Sequence, residues 1–188
     1  MRAVVMVESL WGNTRRVAHA VAEGRAAHWG ADDAATSVEV ADEREAPPVA
    51  DLAGPGVDLL LVSAPTHAFG LSRQRTRGDA GRGASAQDAV CGLRAWLAEC
   101  GSPPDTAPGL RLGQLSFAAF DTHVNHPNLP GWSRHGADKR LRAVGCHRLA
   151  LPESFSVEGY DGPLLPGELD RARGWGAAVA PAAAGARA

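Results

Sequence analysis

The stretch Val4-Val5-Met6-Val7-Glu8-Ser9-Leu10-Trp11-Gly12-Asn13-Thr14-Arg15-Arg16-Val17-Ala18 determines how the rest of the chain is interpreted. Its first four residues are apolar and are typical of a strand buried on both faces, and the residues after them predict a tight loop that opens a helix. Ser9 and Thr14 offer hydroxyl donors, and Gly12 lets the backbone approach a ligand without a Cβ in the way. Unpaired amides at the helix start point to the same place. The stretch therefore predicts an anion site after the first strand.

This loop differs from the two best-known phosphate-binding loops. A Walker loop needs a lysine followed by Ser or Thr after its last glycine, and the dinucleotide fingerprint needs three glycines. The stretch has only Gly12 and no lysine. A helix dipole contributes roughly 0.3 to 1 kcal/mol at an exposed terminus, so holding a phosphate requires several amides and hydroxyls together. The open alternative is that Ser9 and Asn13 only cap an ordinary helix.

The pattern Ser-x-x-Gly-Asn-Thr directly after the first strand resembles the FMN-phosphate loop of flavodoxins. The resemblance implies a single flavodoxin-like domain over residues 1–180, followed by an Ala-rich flexible tail at 181–188. It implies an α/β three-layer sandwich with a five-stranded parallel sheet of order 2-1-3-4-5 and helices on both faces. It also implies non-covalent FMN and redox chemistry that resides in the cofactor. In this loop it assigns cofactor contacts to Ser9, Trp11, Gly12, Asn13 and Thr14.

Composition is consistent with one ordinary globular domain. The chain has 188 residues, 45% of them hydrophobic, which is enough to build a core. The net charge of −2 argues against a general nucleic-acid binder. Three cysteines, Cys91, Cys100 and Cys146, have no CxxC spacing and are interpreted as reduced thiols of a cytoplasmic protein. The sequence has neither a signal-peptide core nor an apolar run long enough to span a membrane.

Strand and helix patterns alternate along the chain, as a parallel sheet requires. The first helix carries Val17, Ala18, Val21 and Ala22 on one face and ends at Gly30. Later strands are predicted at residues 36–40, 57–62, 112–120 and 146–151. Further helices are predicted within residues 89–100, 137–144 and 169–179, and loops at 71–87 and 152–160. Trp96 falls on an apolar helical stripe and is assigned to the core.

A second loop, Ser63-Ala64-Pro65-Thr66-His67-Ala68-Phe69-Gly70, follows the predicted third strand. In open α/β sheets ligands bind outside the carboxyl ends of the strands, which places this loop beside the first. Pro-Thr-x-x-x-Gly is similar to the loop that lines the flavin ring in flavodoxins and flavodoxin-like quinone reductases. Thr66 is then expected to bond the ring or ribityl chain, with His67 or Phe69 against the flavin face. The implied contacts are Pro65, Thr66, His67, Phe69 and Gly70, and a merely solvated His67 is the open alternative.

The third loop is predicted to begin at Asp121, after the fourth strand. Its position corresponds to the third flavin-contacting loop of flavodoxins, which implies cofactor contacts from Asp121, Thr122 and Val124. Flavodoxins often stack an aromatic ring here, whereas this chain has Val124, and its nearest large aromatic is Trp132. No metal site is predicted, because the loop histidines lack helical ligand spacing and a nearby cysteine pair. These histidines are His123, His126 and His135.

Three functions fit this sequence. The first is an FMN electron carrier that exchanges electrons with a redox partner protein. The second is an FMN-dependent NAD(P)H oxidoreductase acting on quinones or similar small acceptors, with His67 or His123 as proton donor. The third is a flavin-free interaction module. Electron-carrying flavodoxins are usually strongly acidic, so a net charge of −2 and an Arg-rich stretch at 71–87 weaken the first. The sequence predicts no oligomeric state.

Overall fold

The computed structural model describes residues 1–29, 37–42, 52, 56–66, 70–73, 92–99, 115–125, 133–159 and 161–179. In this part of the chain the strands are β1 (Arg2–Val7), β2 (Ser37–Asp42), β3 (Leu59–Pro65), β4 (Ser116–Val124), β5 (His147–Arg148) and β6 (Glu153–Val157). The helices are α1 (Asn13–Trp29), α2 (Leu93–Glu99), α3 (Ser133–Ala143) and α4 (Glu168–Ala178). Each helix follows a strand, as in proteins with parallel sheets.

The strands form one parallel sheet. Its order is β2-β1-β3-β4, and both β5 and β6 lie beside β4. Ser116 at the start of β4 pairs with His147 of β5, and Val124 at its end pairs with Val157 of β6. The two short strands therefore share the fifth position of the sheet. The predicted α/β sandwich with parallel strand order 2-1-3-4-5 is confirmed.

Strand β6, the longer of the two strands in the fifth position, lies where a loop was predicted. Only His147 and Arg148 pair with β4 inside the predicted strand at 146–151, and Leu151 is 73% exposed. Pro152 has no N–H for a continuous ladder, and regular pairing resumes at Glu153. The prediction of a loop across 153–157 is wrong. Serines alternate there with buried Phe155 and Val157, which is the pattern of a strand with one apolar face.

Strand β4 also continues beyond its predicted end. Asp121, Thr122 and His123 were interpreted as the beginning of a loop because they are polar, but β4 runs to Val124. Pairing continues on both sides of it, with Pro65↔Thr122 toward β3 and Val124↔Val157 toward β6. Asp121 and Thr122 are buried and hydrogen-bonded to other parts of the protein. The prediction that residues 121–124 form a loop is therefore wrong.

Two apolar layers enclose the sheet. Helices α1 and α4 pack on one face, where Val17, Val21 and Ala172 meet Phe120 and Phe155. Helices α2 and α3 pack on the other face through a second set of buried side chains: Leu93, Trp96, Leu97, Ala137 and Leu141. Trp96 is 7% exposed and belongs to this core, as predicted. The helices thus form the outer layers of a three-layer sandwich.

Several predictions fall outside the described residues. They concern the Ala-rich tail at 181–188, the thiols of Cys91 and Cys100, the end of the first helix at Gly30, and most of the Arg-rich stretch at 71–87. Cys146 is described and is a buried free thiol. None of the described helices is long and apolar enough to cross a membrane.

Candidate functional site

The carboxyl ends of β1, β3 and β4 meet at one edge of the sheet. Val7 pairs with Ser63, and Pro65 pairs with Thr122, so the segments that leave these strands start side by side. The hydroxyl of Thr14, in the first turn of α1, forms a 2.8 Å hydrogen bond with the hydroxyl of Thr122. This bond holds the start of α1 against the end of β4. The edge is the place where open α/β sheets bind ligands.

Helix α1 begins in an open loop. Gly12 has a φ of 85°, which favours glycine, and a Cβ there would meet no atom within 4 Å. The amide of Arg15 donates to Ser9 Oγ at 3.2 Å, and that of Arg16 donates to the Gly12 carbonyl at 3.0 Å. Among the described residues, the amides of Gly12, Asn13 and Thr14 have no acceptor. The first turn of α1 carries no acidic side chain.

Carboxylates lie at the starts of the other described helices. Glu8 is fully buried and accepts the Leu93 amide at the start of α2 at 2.9 Å, together with the Ser72 hydroxyl. Asp121 accepts the Arg134 amide at the start of α3 at 3.2 Å. Helix α4 carries Glu168 and Asp170 in its own first turn. Among the helices that the structure describes, α1 is therefore the one with neither a carboxylate bonded to its first amides nor an acidic side chain in its first turn, and the nearby Asp42 carboxylate pairs with the Arg15 guanidinium.

Three residues of the first loop that are predicted to contact the cofactor differ in their hydrogen bonds and exposure. The Asn13 side-chain amide donates to the Gly162 carbonyl at 2.6 Å, which ties the segment between β6 and α4 to this loop. Thr14 is buried, and its hydroxyl is bonded to Thr122. Trp11 is 38% exposed. The groups that remain open to an anion are the loop amides and the hydroxyl proton of Ser9, because Ser9 Oγ acts only as an acceptor toward Arg15.

The second loop is partly described. Pro65 is buried as the last residue of β3, and Gly70 is partly buried. The Thr66 hydroxyl donates to Asp121 Oδ2 at 2.9 Å and accepts the Ser133 amide at 3.0 Å, while the Thr66 amide donates to the Thr122 carbonyl. The single hydroxyl proton of Thr66 is therefore bonded to Asp121. A ligand could accept no hydrogen bond from this hydroxyl, but it could donate to the remaining lone pair of the hydroxyl oxygen or to the Thr66 carbonyl. His67 and Phe69 lie outside the described residues.

Asp121 is the centre of a buried polar cluster. Its carboxylate is 0% exposed and accepts hydrogen bonds from the Thr66 hydroxyl and from both the amide and the guanidinium of Arg134. The Ser133 hydroxyl lies 3.3 Å away and donates to the Ala64 carbonyl at 2.7 Å. The guanidinium nitrogen lies 3.3 Å from Asp121 Oδ1. A further donor is the hydroxyl of Ser154 on β6. Asp121 and Thr122 thus bond to the protein itself, and their contact with a cofactor stays a prediction, as does that of Val124, which is partly buried at the end of β4.

His123 is joined to the same cluster. Its Nδ1 lies 2.7 Å from the Ser154 hydroxyl oxygen, which also contacts Asp121. Burial lowers the pKa of His123 below its ordinary value, and the negative charge of Asp121 partly offsets this shift.

Ser154 and Glu8 were not singled out from the sequence. The signal that could have found Ser154 was the alternation of polar and apolar residues from Ser154 to Val157. The capping role of Glu8 depends on Leu93, which lies far along the chain, so no local signal was available.

The loop before α1 fits the phosphate end of FMN. It offers unpaired amides, a hydroxyl proton at Ser9, a positive-φ glycine with open space above it, and a helix end without a carboxylate. Residues 67–69 and 126–132, which include the candidates for the ring end, lie outside the described part of the chain. In the described part, no group of three or more His, Cys, Asp or Glu side chains could hold a metal ion.

Comparison with known proteins gives matches among solved structures. No protein-family model and no curated protein matches the chain. A short-chain flavodoxin associated with a PDU bacterial microcompartment is 15% identical, with a TM-score of 0.60 and coverage of 95% of this chain and 96% of that chain. A WrbA-like flavodoxin from Agrobacterium tumefaciens is 19% identical, with a TM-score of 0.55 and coverage of 95% and 94%.

A third solved structure is the two-electron reduced flavodoxin of Megasphaera elsdenii. It is 14% identical, has a TM-score of 0.54, and matches over 95% of this chain and 99% of that one. Identities this low establish the shared architecture and leave the activity to be argued from the site. The strand order, the helices on both faces and these matches together show that the chain has the flavodoxin-like fold.

Proposed function

We propose that this protein binds FMN non-covalently and transfers electrons through it. The observation that carries the proposal is the start of α1, where the amides of Gly12, Asn13 and Thr14 have no acceptor among the described residues and lie at the ligand-binding edge of the sheet. The solved neighbours support a redox role, since they are flavodoxins and one structure is of the two-electron reduced protein. FMN supplies the redox chemistry through its isoalloxazine ring.

The residues of the chain then have separate tasks. The amides of Gly12, Asn13 and Thr14 and the hydroxyl of Ser9 hold the phosphate, and the helix dipole adds a favourable field. The Asn13 bond to Gly162 and the Thr14 bond to Thr122 keep these amides in place before the ligand arrives. We assign the ring to the ends of the neighbouring strands β3 and β4, beside Pro65, Thr66 and the residues Asp121 to Val124.

A binding experiment tests this assignment through the phosphate. FMN fluorescence is titrated with protein and compared with riboflavin, which lacks the phosphate. We expect Ser9→Asp to weaken FMN binding about tenfold or more, because it places a negative charge beside the phosphate, and to change riboflavin binding little. Ser37→Asp is the matched control, since Ser37 is exposed at the start of β2, on the opposite edge of the sheet. Equal affinity of the wild-type protein for FMN and riboflavin would argue against the phosphate site.

One observation favours an enzymatic version of this function. His123 lies near the carboxyl end of β4 and is hydrogen-bonded to Ser154, so a group that can carry a proton lies at the ligand-binding edge. This arrangement suits an FMN-dependent NAD(P)H oxidoreductase acting on quinones or similar small acceptors. Turnover of NADPH and a quinone by the FMN-loaded protein alone would favour the enzyme. A requirement for a separate reductase would favour the carrier, whose electrons come from a redox partner protein.

A further inference from the structure

A hydrogen-bonded chain connects Asp121, Ser154 and His123 across two neighbouring strands. Asp121 on β4 is the register partner of Ser154 on β6, so their side chains lie on the same face of the sheet. His123 lies two residues after Asp121 on β4 and therefore shares this face. The Ser154 hydroxyl oxygen contacts Asp121 Oδ1 and lies 2.7 Å from His123 Nδ1. One hydroxyl thus links a carboxylate to an imidazole.

The donors and acceptors in this chain determine which atom carries each proton. Asp121 receives donors from Thr66 and Arg134, which is the setting of an ionised carboxylate, and such a carboxylate can only accept. The single hydroxyl proton of Ser154 must therefore lie toward Asp121. Ser154 Oγ then has only lone pairs for His123, so the proton of that contact belongs to the imidazole Nδ1.

We propose that Ser154 is a positioning residue that couples Asp121 to His123, fixes the imidazole proton on Nδ1, and makes Nε2 the nitrogen that gains and loses protons. The consequence for proton transfer during electron uptake rests on the proposed function. The tautomer itself rests only on the hydrogen bonds of the protein. The orientation of His123 is thus set by a residue on the neighbouring strand, as second-layer hydrogen bonds set functional histidines elsewhere.

Charged groups from three elements surround His123. Asp121 on its own strand and Glu168 on α4 raise its pKa, whereas Arg134 on α3 and Arg171 on α4 lower it, and burial lowers it most. The neutral imidazole is therefore favoured near neutral pH, and its tautomer matters. Removal of the Ser154 hydroxyl would take away the acceptor of Nδ1–H, which stabilises the imidazolium more than the neutral ring. The titration midpoint of His123 should therefore fall in Ser154→Ala.

Long-range 1H–15N NMR of the flavin-free full-length protein tests the tautomer directly. The His123 signals are assigned by their loss in His123→Gln. We expect Nδ1 of the wild-type protein to resonate as the protonated nitrogen and Nε2 as the unprotonated one. A predominant Nε2–H form in the wild-type protein would overturn the proposal, and this measurement does not depend on whether the Ser154 variants fold.

Variants then show whether Ser154 is responsible. Ser154→Ala should convert His123 to a mixture of tautomers and lower its titration midpoint, and Ser154→Thr, which keeps a hydroxyl, should restore both. Ser156→Ala is the matched control, because Ser156 is the register partner of His123 and lies on the same strand and the same face as Ser154. Unchanged signals in Ser154→Ala, or equal changes in Ser156→Ala, would contradict the proposal.

A flavin titration separates this proposal from the proposed function. Ser154→Ala should keep the wild-type preference for FMN over riboflavin, because Ser154 bonds to Asp121 and His123 and has no assigned contact with the phosphate. If the wild-type protein fails to bind FMN, the proposed function fails while the tautomer result stands. If FMN binds but the tautomer is Nε2–H, only the role of Ser154 fails.

Discussion

Asp121 and Glu8 are carboxylates from strand ends that cap helices distant in the sequence. Each is fully buried, and each accepts a backbone amide from the first two residues of a helix on the same face of the sheet, Leu93 of α2 and Arg134 of α3. Capping of this kind satisfies amides that a buried helix start would otherwise leave unpaired. The same side chains place negative charge at the ends of α2 and α3, so an anionic ligand is directed toward α1.

The first residue-scale prediction concerns Asp121. We expect Asp121→Asn to lower the free energy of unfolding by about 3 kcal/mol, because the guanidinium of Arg134, whose side chain is 15% exposed, loses its charged partner. Asp170→Asn is the control, since this exposed ion pair with Arg173 contributes at most about 1 kcal/mol. Urea unfolding measures both. Equal, small losses in the two variants would show that the Asp121 cluster contributes little to stability.

The second prediction concerns the pH dependence of stability. Burial raises the pKa of the Cys146 thiol from an ordinary value of 9.0 to about 11. Between these values the unfolded chain releases the thiol proton and the folded chain keeps it, so rising pH favours unfolding. The free energy of unfolding of the wild-type protein should therefore fall relative to that of Cys146→Ala between pH 9 and 11. Below pH 8 the difference between the two free energies should be constant. Parallel curves for the two proteins across the whole range would contradict the assignment.

At this scale the sequence predicts some residues well and others poorly. Gly12 and Ser9 were found because their spacing after a buried strand is a local pattern. Asp121 and Thr66 are predicted to contact a ligand, which stays a prediction, and the structure shows that they also bond to each other. Polar side chains at strand ends look the same in a sequence whether they contact a ligand or cap a helix. Their partners lie far along the chain, so only the folded arrangement distinguishes the two roles.

At the scale of elements, α1 and α4 pack closely through glycines. A Cβ at Gly24 would overlap the carbonyl oxygen of Arg173, and one at Gly176 would overlap that of Val21. We expect Gly24→Ala and Gly176→Ala each to lower the free energy of unfolding by about 1 to 3 kcal/mol, because the helices must separate. Gly174→Ala has free space around its Cβ and should raise stability by up to about 1 kcal/mol.

Thermal unfolding of these three variants measures the contrast. Gly174 and Gly176 lie in the same helix, so differences in helix propensity cancel between them and only the contact with α1 remains. Equal stabilities of Gly174→Ala and Gly176→Ala would show that α1 and α4 can move apart without cost. A loss in both would indicate that positions 174 and 176 tolerate no side chain for a reason other than this contact.

The element order could be predicted from the sequence, but two strand ends could not. Continuous apolar runs identified β1 and β3, since strands buried on both faces have this pattern. The end of β4 and three of the five residues of β6 carry polar side chains that find partners only after folding. Glu168 accepts the Ser156 amide at 3.2 Å, and Arg171 donates to the Ser154 carbonyl, so side chains of α4 cover the outer edge of β6. This protection against pairing with another chain is invisible in local patterns.

At the scale of the whole molecule, the topology brings a helix start with amides that have no acceptor among the described residues to the ligand-binding edge. Strand β1 lies between β2 and β3, so the loop that leaves it lies beside the ends of its neighbours. The first turn of α1 is held from two directions, by the bond of Thr14 to β4 and by that of Asn13 to Gly162. These contacts come from distant parts of the sequence. The phosphate end of the proposed site is therefore formed by the fold before a ligand binds.

The last prediction follows from this preformed site. A ligand that binds only the folded state raises the free energy of unfolding, by about 2.7 kcal/mol at a free concentration one hundred times its Kd. We expect FMN to do so in urea unfolding without changing the m-value, because the first turn of α1 is already held by Thr122 and Gly162. Riboflavin at the same concentration should stabilise less, and Ser9→Asp should remove most of the difference between the two ligands. A rise in the m-value with FMN would show that the chain buries further surface on binding, and no stabilisation by either flavin would favour the flavin-free interaction module.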